Sequence, residues 1–175
     1  RWTDYAQTSS SEIIPRLQQA QIAITNKVAF NQETLAALPN LKLIAVAATG
    51  VNIIDLAACR ALGIQVCNVS GYSTHSVAEH TFMQILALRR NLLPQAQQVQ
   101  TGEWQKSPHF SLFDYDLQDC FGSTLGIIGR GATGERVASL AAAFGMRVLF
   151  AERKQASQIR AGYTAFNSVL EQADI

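Results

Sequence analysis

Three glycines constrain this chain more than any other feature. Gly129, Gly131 and Gly134 stand in G-x-G-x-x-G spacing, between an apolar run at residues 125–128 and a stretch of helical periodicity. In that stretch Val137, Leu140, Ala141 and Phe144 share one face, and Gly145 stands where a helix takes a left-handed stop. A second apolar run, residues 148–151, ends at Glu152. The order is strand, tight turn, helix, strand, acid.

Each glycine has a physical reason in that order. Gly129 permits the sharp exit from the strand, Gly131 leaves the backbone bare to an approaching pyrophosphate, and Gly134 lets the helix press on the sheet. The free N–H groups and positive dipole end of the helix then face phosphate oxygens. Glu152 follows Gly134 by 18 residues, a distance at which a carboxylate accepts hydrogen bonds from adenosine ribose hydroxyls. The unit is therefore expected to bind a dinucleotide.

Upstream, strands and helices alternate. Helices are expected at residues 11–20, 31–38 and 53–62, and strands at 22–25, 41–47 and 64–68. This spacing predicts a parallel, Rossmann-like α/β sheet. The second strand runs into Ala48-Thr49-Gly50-Val51-Asn52, a loop whose amides precede a helix. Read alone, the loop is either a connector or a seat for a small carboxylate beyond the carboxyl end of a strand. Ser76-Val77-Ala78-Glu79 matches a capping box, opening a helix expected to run to about residue 91 and to be largely buried. Pro94 is expected to break or kink it. Trp104, His109, Phe110, Phe113 and Tyr115 then form an aromatic loop suited to a cleft, a subunit contact or plain packing. A short helix at 167–173 and the first step of another strand at 174–175 finish the pattern.

The 175 residues are 48% hydrophobic and 15% charged, enough to bury a core, and the net charge is +1. With no run of like charges, nucleic acid and membrane surfaces are not expected partners. Cys59, Cys67 and Cys120 are an odd set without close spacing, which points to reduced thiols in the cytoplasm and no zinc site. His75 and His80, five apart, do not share a helical face as ligands would.

Four segments together carry a resemblance: LKLIAVAATGVNIIDLAA, NVSGYSTHSVAEHTF, GEWQKSPHF and TLGIIGRGATGERVASLAAAFGMRVL. The chain resembles the D-isomer-specific 2-hydroxyacid dehydrogenases, and within them the glycerate dehydrogenase (hydroxypyruvate reductase) branch. The resemblance implies a flavodoxin-like substrate domain over residues 1–70, a NAD-binding Rossmann domain over 71–175, and an active site where the two close. It implies that Thr49, Gly50 and Val51 hold the substrate carboxylate through backbone N–H groups. Val77 would lie near the nicotinamide, Ala132 and Thr133 would meet the pyrophosphate, and Glu152 would bind the adenosine ribose. Asn26 and Lys27 lie where the first domain would reach toward the cleft. The parent enzyme would be a homodimer, with the helix from Ser76 in the contact.

Some positions depart from the family pattern. Ser70 replaces a proline, and Arg130 beside the glycine turn is expected to point away from the phosphates. Arg153 and Lys154 could receive a 2′-phosphate, but the charge of Glu152 favours NAD over NADP. The family's catalytic arginine, glutamate and histidine, the second half of its nucleotide-binding fold and the first strand of its substrate domain have no counterpart here. The chain is therefore expected to be part of a longer enzyme, inactive alone, with open sheet edges that something must cover. The expected reaction is hydride transfer between NAD(H) and a small D-2-hydroxy or 2-keto acid, glycerate and hydroxypyruvate above others. The rival expectations are a cofactor sensor or corepressor-like protein without turnover, and a binder of another adenosine cofactor such as S-adenosylmethionine.

Overall fold

The computed structural model describes residues 2–175, and the chain divides into two compact units, Arg1–Tyr72 and Ser73–Ile175. In the first, a 3-10 turn (Ser10–Glu12) leads into α1 (Ile13–Leu17). There Glu12 reaches back to accept from the Ser9 N–H at 2.8 Å. Periodicity alone predicts one helix over residues 11–20; this capping contact instead opens a 3-10 turn at Ser10, and the α-helix ends at Leu17. β1 (Ile22–Thr25), α2 (Gln32–Ala36), β2 (Leu43–Val46), α3 (Leu56–Ala61) and β3 (Gln65–Asn68) follow. The strands lie in the order β1-β2-β3, all parallel, with Ile44 opposite Ala23 and Val66. Period-2 alternation puts Ile44 and Val46 into the core, at 0% and 1% exposure, where they pack with Leu35, Leu38 and Cys59.

α3 is shorter than its sequence pattern suggested. Residues 53–54 stay outside the helix, because Ile53 closes a turn and Phe30 and Ile54 form a parallel bridge, and Asp55 caps the helix by accepting from the Ala58 N–H at 2.9 Å. The side-chain cap sets the helix start where periodicity alone cannot.

The second unit begins with α4 (Thr74–Arg89), α5 (Leu92–Gln100) and α6 (Glu103–Lys106). The capping box expected at Ser76 does not form. α4 starts a turn earlier, with Ser73 at the cap position, and the Ser76 hydroxyl donates to the Ser73 carbonyl instead. Nor does Pro94 make the break. Asn91 does, with φ 49° between the two helices, and Pro94 sits in the first turn of α5, where a missing N–H costs nothing. α4 is also less covered than expected. Ala78, Phe82 and Ile85 are buried, but Val77, Met83 and Leu88 are exposed.

β4 (Thr124–Ile128), α7 (Ala132–Ala143) and β5 (Arg147–Ala151) form the parallel βαβ unit, and α8 (Phe166–Gln172) closes the chain. Val137 and Ala141 of α7 pack with Leu125 of β4 and with Phe82 of α4, whose ring stacks 5.3 Å from that of Phe144. Gly126 is glycine because α8 lies on it; a Cβ there would come 2.7 Å from Val169 Cγ1. Beyond α8, Asp174 and Ile175 bond along β4, and Thr164 bridges to Ala151 on the other side. No helix among the described residues is long and apolar enough to cross a membrane, and no cluster of metal-ligating side chains is found among them. All three cysteines are free, with Cys67 exposed.

Candidate functional site

The register of β4 on β5 aligns Ile128 with Ala151, so Gly129 and Glu152 leave the sheet side by side at its carboxyl edge. Gly129 turns the chain at φ +104°, a conformation that side chains other than glycine's rarely adopt. A Cβ on Gly134 would lie 2.2 Å from the Gly129 carbonyl oxygen, so the helix can start this close to the strand only with hydrogen there. Gly131 is different. Its backbone is extended, at φ −98° and ψ −173°, and a Cβ would meet nothing within 4 Å. The space in front of it is open.

That open space faces the start of α7. The first helical amide to find an acceptor is that of Glu135, which donates to the Gly131 carbonyl at 2.9 Å. The N–H groups of Ala132, Thr133 and Gly134 have no acceptor among the described residues, and no side chain caps the helix. Unpaired donors, the helix dipole and a bare approach at Gly131 together suit a diphosphate. Arg130 does not compete for it. Its guanidinium pairs with Glu135, in the first turn of α7, at 2.6 Å and lies over the rings of Phe150 and Tyr163.

Glu152 is 2% exposed and its carboxylate is fully engaged. Oε1 accepts from the Arg153 N–H at 2.8 Å and Arg160 Nη2 at 2.7 Å, and Oε2 from Arg160 Nε at 2.7 Å and the Arg160 N–H at 3.1 Å. The forked contact from Arg160, then the Arg153 amide, hold the carboxyl at about 2, well below the usual carboxylate range, against the opposite pull of burial. The same pairing raises Arg160. Arg160 also lies over the Tyr163 ring at 4.0 Å. The loop this pair ties down borders an open concavity of about 730 Å³ lined by Glu152, Arg153, Lys154, Ser157 and Arg160, among others. Arg153 and Lys154 are exposed on its rim. Sequence spacing picked out Glu152, Arg153 and Lys154 but not Arg160. No motif marks an arginine eight residues on across an irregular loop.

In the first unit, Thr49, Gly50 and Val51 follow the carboxyl end of β2. The Thr49 hydroxyl donates to the Val69 carbonyl at 3.1 Å, and Asn68 Nδ2 donates to the Thr49 carbonyl at 2.7 Å, which fixes the loop against the end of β3. The N–H groups of Thr49, Gly50 and Val51 find no acceptor among the described residues. They do not lead directly into a helix, as the sequence suggested, because α3 begins only at Leu56 and Asp55 fills its N-terminus. Nearby, Asn26 Nδ2 donates to the Ala47 carbonyl at 2.8 Å. Val77 is exposed on the first turn of α4, an element apart from the glycine turn.

Residues 2–171 match the family model of the D-isomer specific 2-hydroxyacid dehydrogenase catalytic domain. The chain is 48% identical over 174 residues to a putative 2-hydroxyacid dehydrogenase of Haemophilus influenzae, covering 99% of this chain and 55% of that protein. It is 49% identical over 149 residues to the glycerate dehydrogenase of Methylorubrum extorquens, covering 85% of this chain and 48% of that one. A crystal structure of D-lactate dehydrogenase from Aquifex aeolicus, complexed with NAD and lactic acid, superposes with a TM-score of 0.75 at 32% identity, covering 92% of this chain and 48% of that one. The chain thus spans about half the length of the relatives it matches. With a parallel α/β framework, a bare glycine turn and a model match over nearly its whole length, the chain belongs to the D-isomer specific 2-hydroxyacid dehydrogenase family.

Proposed function

We propose that this chain supplies the dinucleotide-binding turn and the substrate-carboxylate loop of an oxidoreductase that interconverts a small D-2-hydroxy acid and its 2-keto acid with a nicotinamide dinucleotide. The observation that carries this reading is the start of α7, where three unpaired amides face the open space at Gly131. Gly129, Gly131 and Gly134 shape the turn, and the N–H groups of Ala132 and Thr133 hold the pyrophosphate. When bound, the cofactor supplies or accepts hydride at the substrate's C2. Val77, exposed at the start of α4, is proposed to border the nicotinamide. Glu152, Arg153 and Lys154 meet the adenosine end, with NAD as the proposed cofactor.

Thr49, Gly50 and Val51 are proposed to bind the substrate carboxylate. Their free amides are the donors such a group needs, and nothing else among the described residues claims them. Glycerate and hydroxypyruvate are the proposed pair, on the strength of the 49% identity to a glycerate dehydrogenase. The unit Arg1–Tyr72 is proposed as the substrate domain and Ser73–Ile175 as the cofactor domain. A second copy is proposed as the partner, supported by the apolar side chains of Met83, Leu88 and Leu93 that α4 and α5 leave exposed.

The test is turnover. The full-length protein carrying this chain should oxidise NADH in the presence of hydroxypyruvate and yield D-glycerate. Cofactor binding without turnover on hydroxypyruvate, glyoxylate or pyruvate would instead favour a sensor.

A further inference from the structure

The acid at the end of β5 has an unexpected neighbour. In a site that selects NAD by its carboxylate, the acid is free to accept from the ribose hydroxyls and to repel a 2′-phosphate. Here Glu152 is neither free nor uncompensated. Each of its two oxygens already accepts two hydrogen bonds, and both prongs of the Arg160 guanidinium face it. The surrounding concavity carries three cations, Arg153, Lys154 and Arg160, against that one carboxylate. The remaining nearby arginine, Arg130, is spent on Glu135 and the Gly162 carbonyl.

We propose that Arg160 sets the cofactor selectivity of this site: by occupying the Glu152 carboxylate it removes the barrier to a 2′-phosphate, so that Arg153 and Lys154 accept NADP(H) alongside NAD(H). The inference rests on the dinucleotide site proposed above and extends the cofactors it takes from NAD(H) to NADP(H). Arg160 is a positioning residue, acting through Glu152. Lone-pair directions already filled by a fork of two N–H groups cannot also receive a ribose hydroxyl without breaking one of them. A neutralised acid beside Arg153 and Lys154, which form no ion pair among the described residues though Lys154 lies 5.9 Å over the Phe166 ring, presents a net positive field to a dianionic phosphate.

The experiment is equilibrium binding of NADPH and NADH, by calorimetry, to the full-length protein carrying this chain. The unaltered protein should bind the two within about tenfold of each other, since the charge that separates them is compensated. Arg160→Gln should free the carboxylate and shift the ratio of the two dissociation constants toward NADH by at least about fivefold. A smaller shift, or one toward NADPH, would overturn the proposal. A merely structural role for Arg160 would weaken both cofactors together and leave the ratio unmoved. Arg160→Lys keeps the charge and loses the fork, so it should give a smaller shift in the same direction if Arg160→Gln folds poorly. In a Glu152→Gln background, Arg160→Gln should no longer move the ratio; if it still does, Arg160 reads the phosphate itself and the positioning role is wrong. Failure of the unaltered protein to bind either cofactor would overturn the dinucleotide site as well, which separates the two readings.

Discussion

The Cβ position of Gly134 lies 2.2 Å from the carbonyl oxygen of Gly129. No flexible side chain stands there to move aside, only backbone at the mouth of the turn. Gly134→Ala must therefore push the first turn of α7 off β4. The expected cost is about 1–3 kcal/mol in denaturant unfolding, of the order found for overpacking a tight contact. Cofactor affinity should fall with it, because the amides of Ala132 and Thr133 move with the helix.

Gly131→Val separates binding from folding. The backbone there is extended and the Cβ position open, so the fold should lose no more than about 1 kcal/mol, the cost of an apolar residue at a helix cap. Dinucleotide binding should nonetheless fall by more than about tenfold, since the side chain fills the space a phosphate needs. Undiminished binding, read by calorimetry in the full-length protein, would put the site elsewhere.

The Glu152–Arg160 pair makes a pH-dependent contribution with a definite sign. The carboxyl is held at about 2 in the folded chain against 4.5 for an ordinary glutamate. A depressed carboxyl stabilises the fold at pH above the unfolded value and loses that contribution as pH falls toward the folded one. Thermal melts should therefore show Glu152→Gln less stable than the unaltered protein by a constant margin above about pH 5, with the margin shrinking toward zero between about pH 4.5 and 2. A flat difference across that window would mean that the pair does not form in solution.

Ile44 is fully buried at the centre of β2, with strands on both sides. Ile44→Ala should cost about 2–5 kcal/mol, from lost transfer energy and the cavity left behind. Chemical denaturation monitored by circular dichroism reads this directly, and a loss under about 1 kcal/mol would show that the first unit's core is looser than its packing implies.

Much of this was legible from one strand of letters because the βαβ unit is a local device. Its turn, helix and strands are written within residues 124–152, and hydrophobic period, glycine spacing and dipole end all act over short separations. Helix starts were less legible. Ser76-Val77-Ala78-Glu79 has the letters of a capping box, yet α4 begins at Thr74, and Asn91 rather than Pro94 divides α4 from α5. Several residues in each stretch can cap or break a helix, and packing chooses among them.

The sequence by itself determined the parallel α/β class, the bare glycine turn between β4 and α7 and the position of the acid at the end of β5. Only the tertiary structure decided what that acid does. Arg160 reaches Glu152 because an irregular loop folds back and buries the carboxylate, and a buried charge must find its counter-charge wherever the chain brings one. Periodicity carries no record of such a meeting, since it depends on the path of the loop and not on the repeat of a helix or strand.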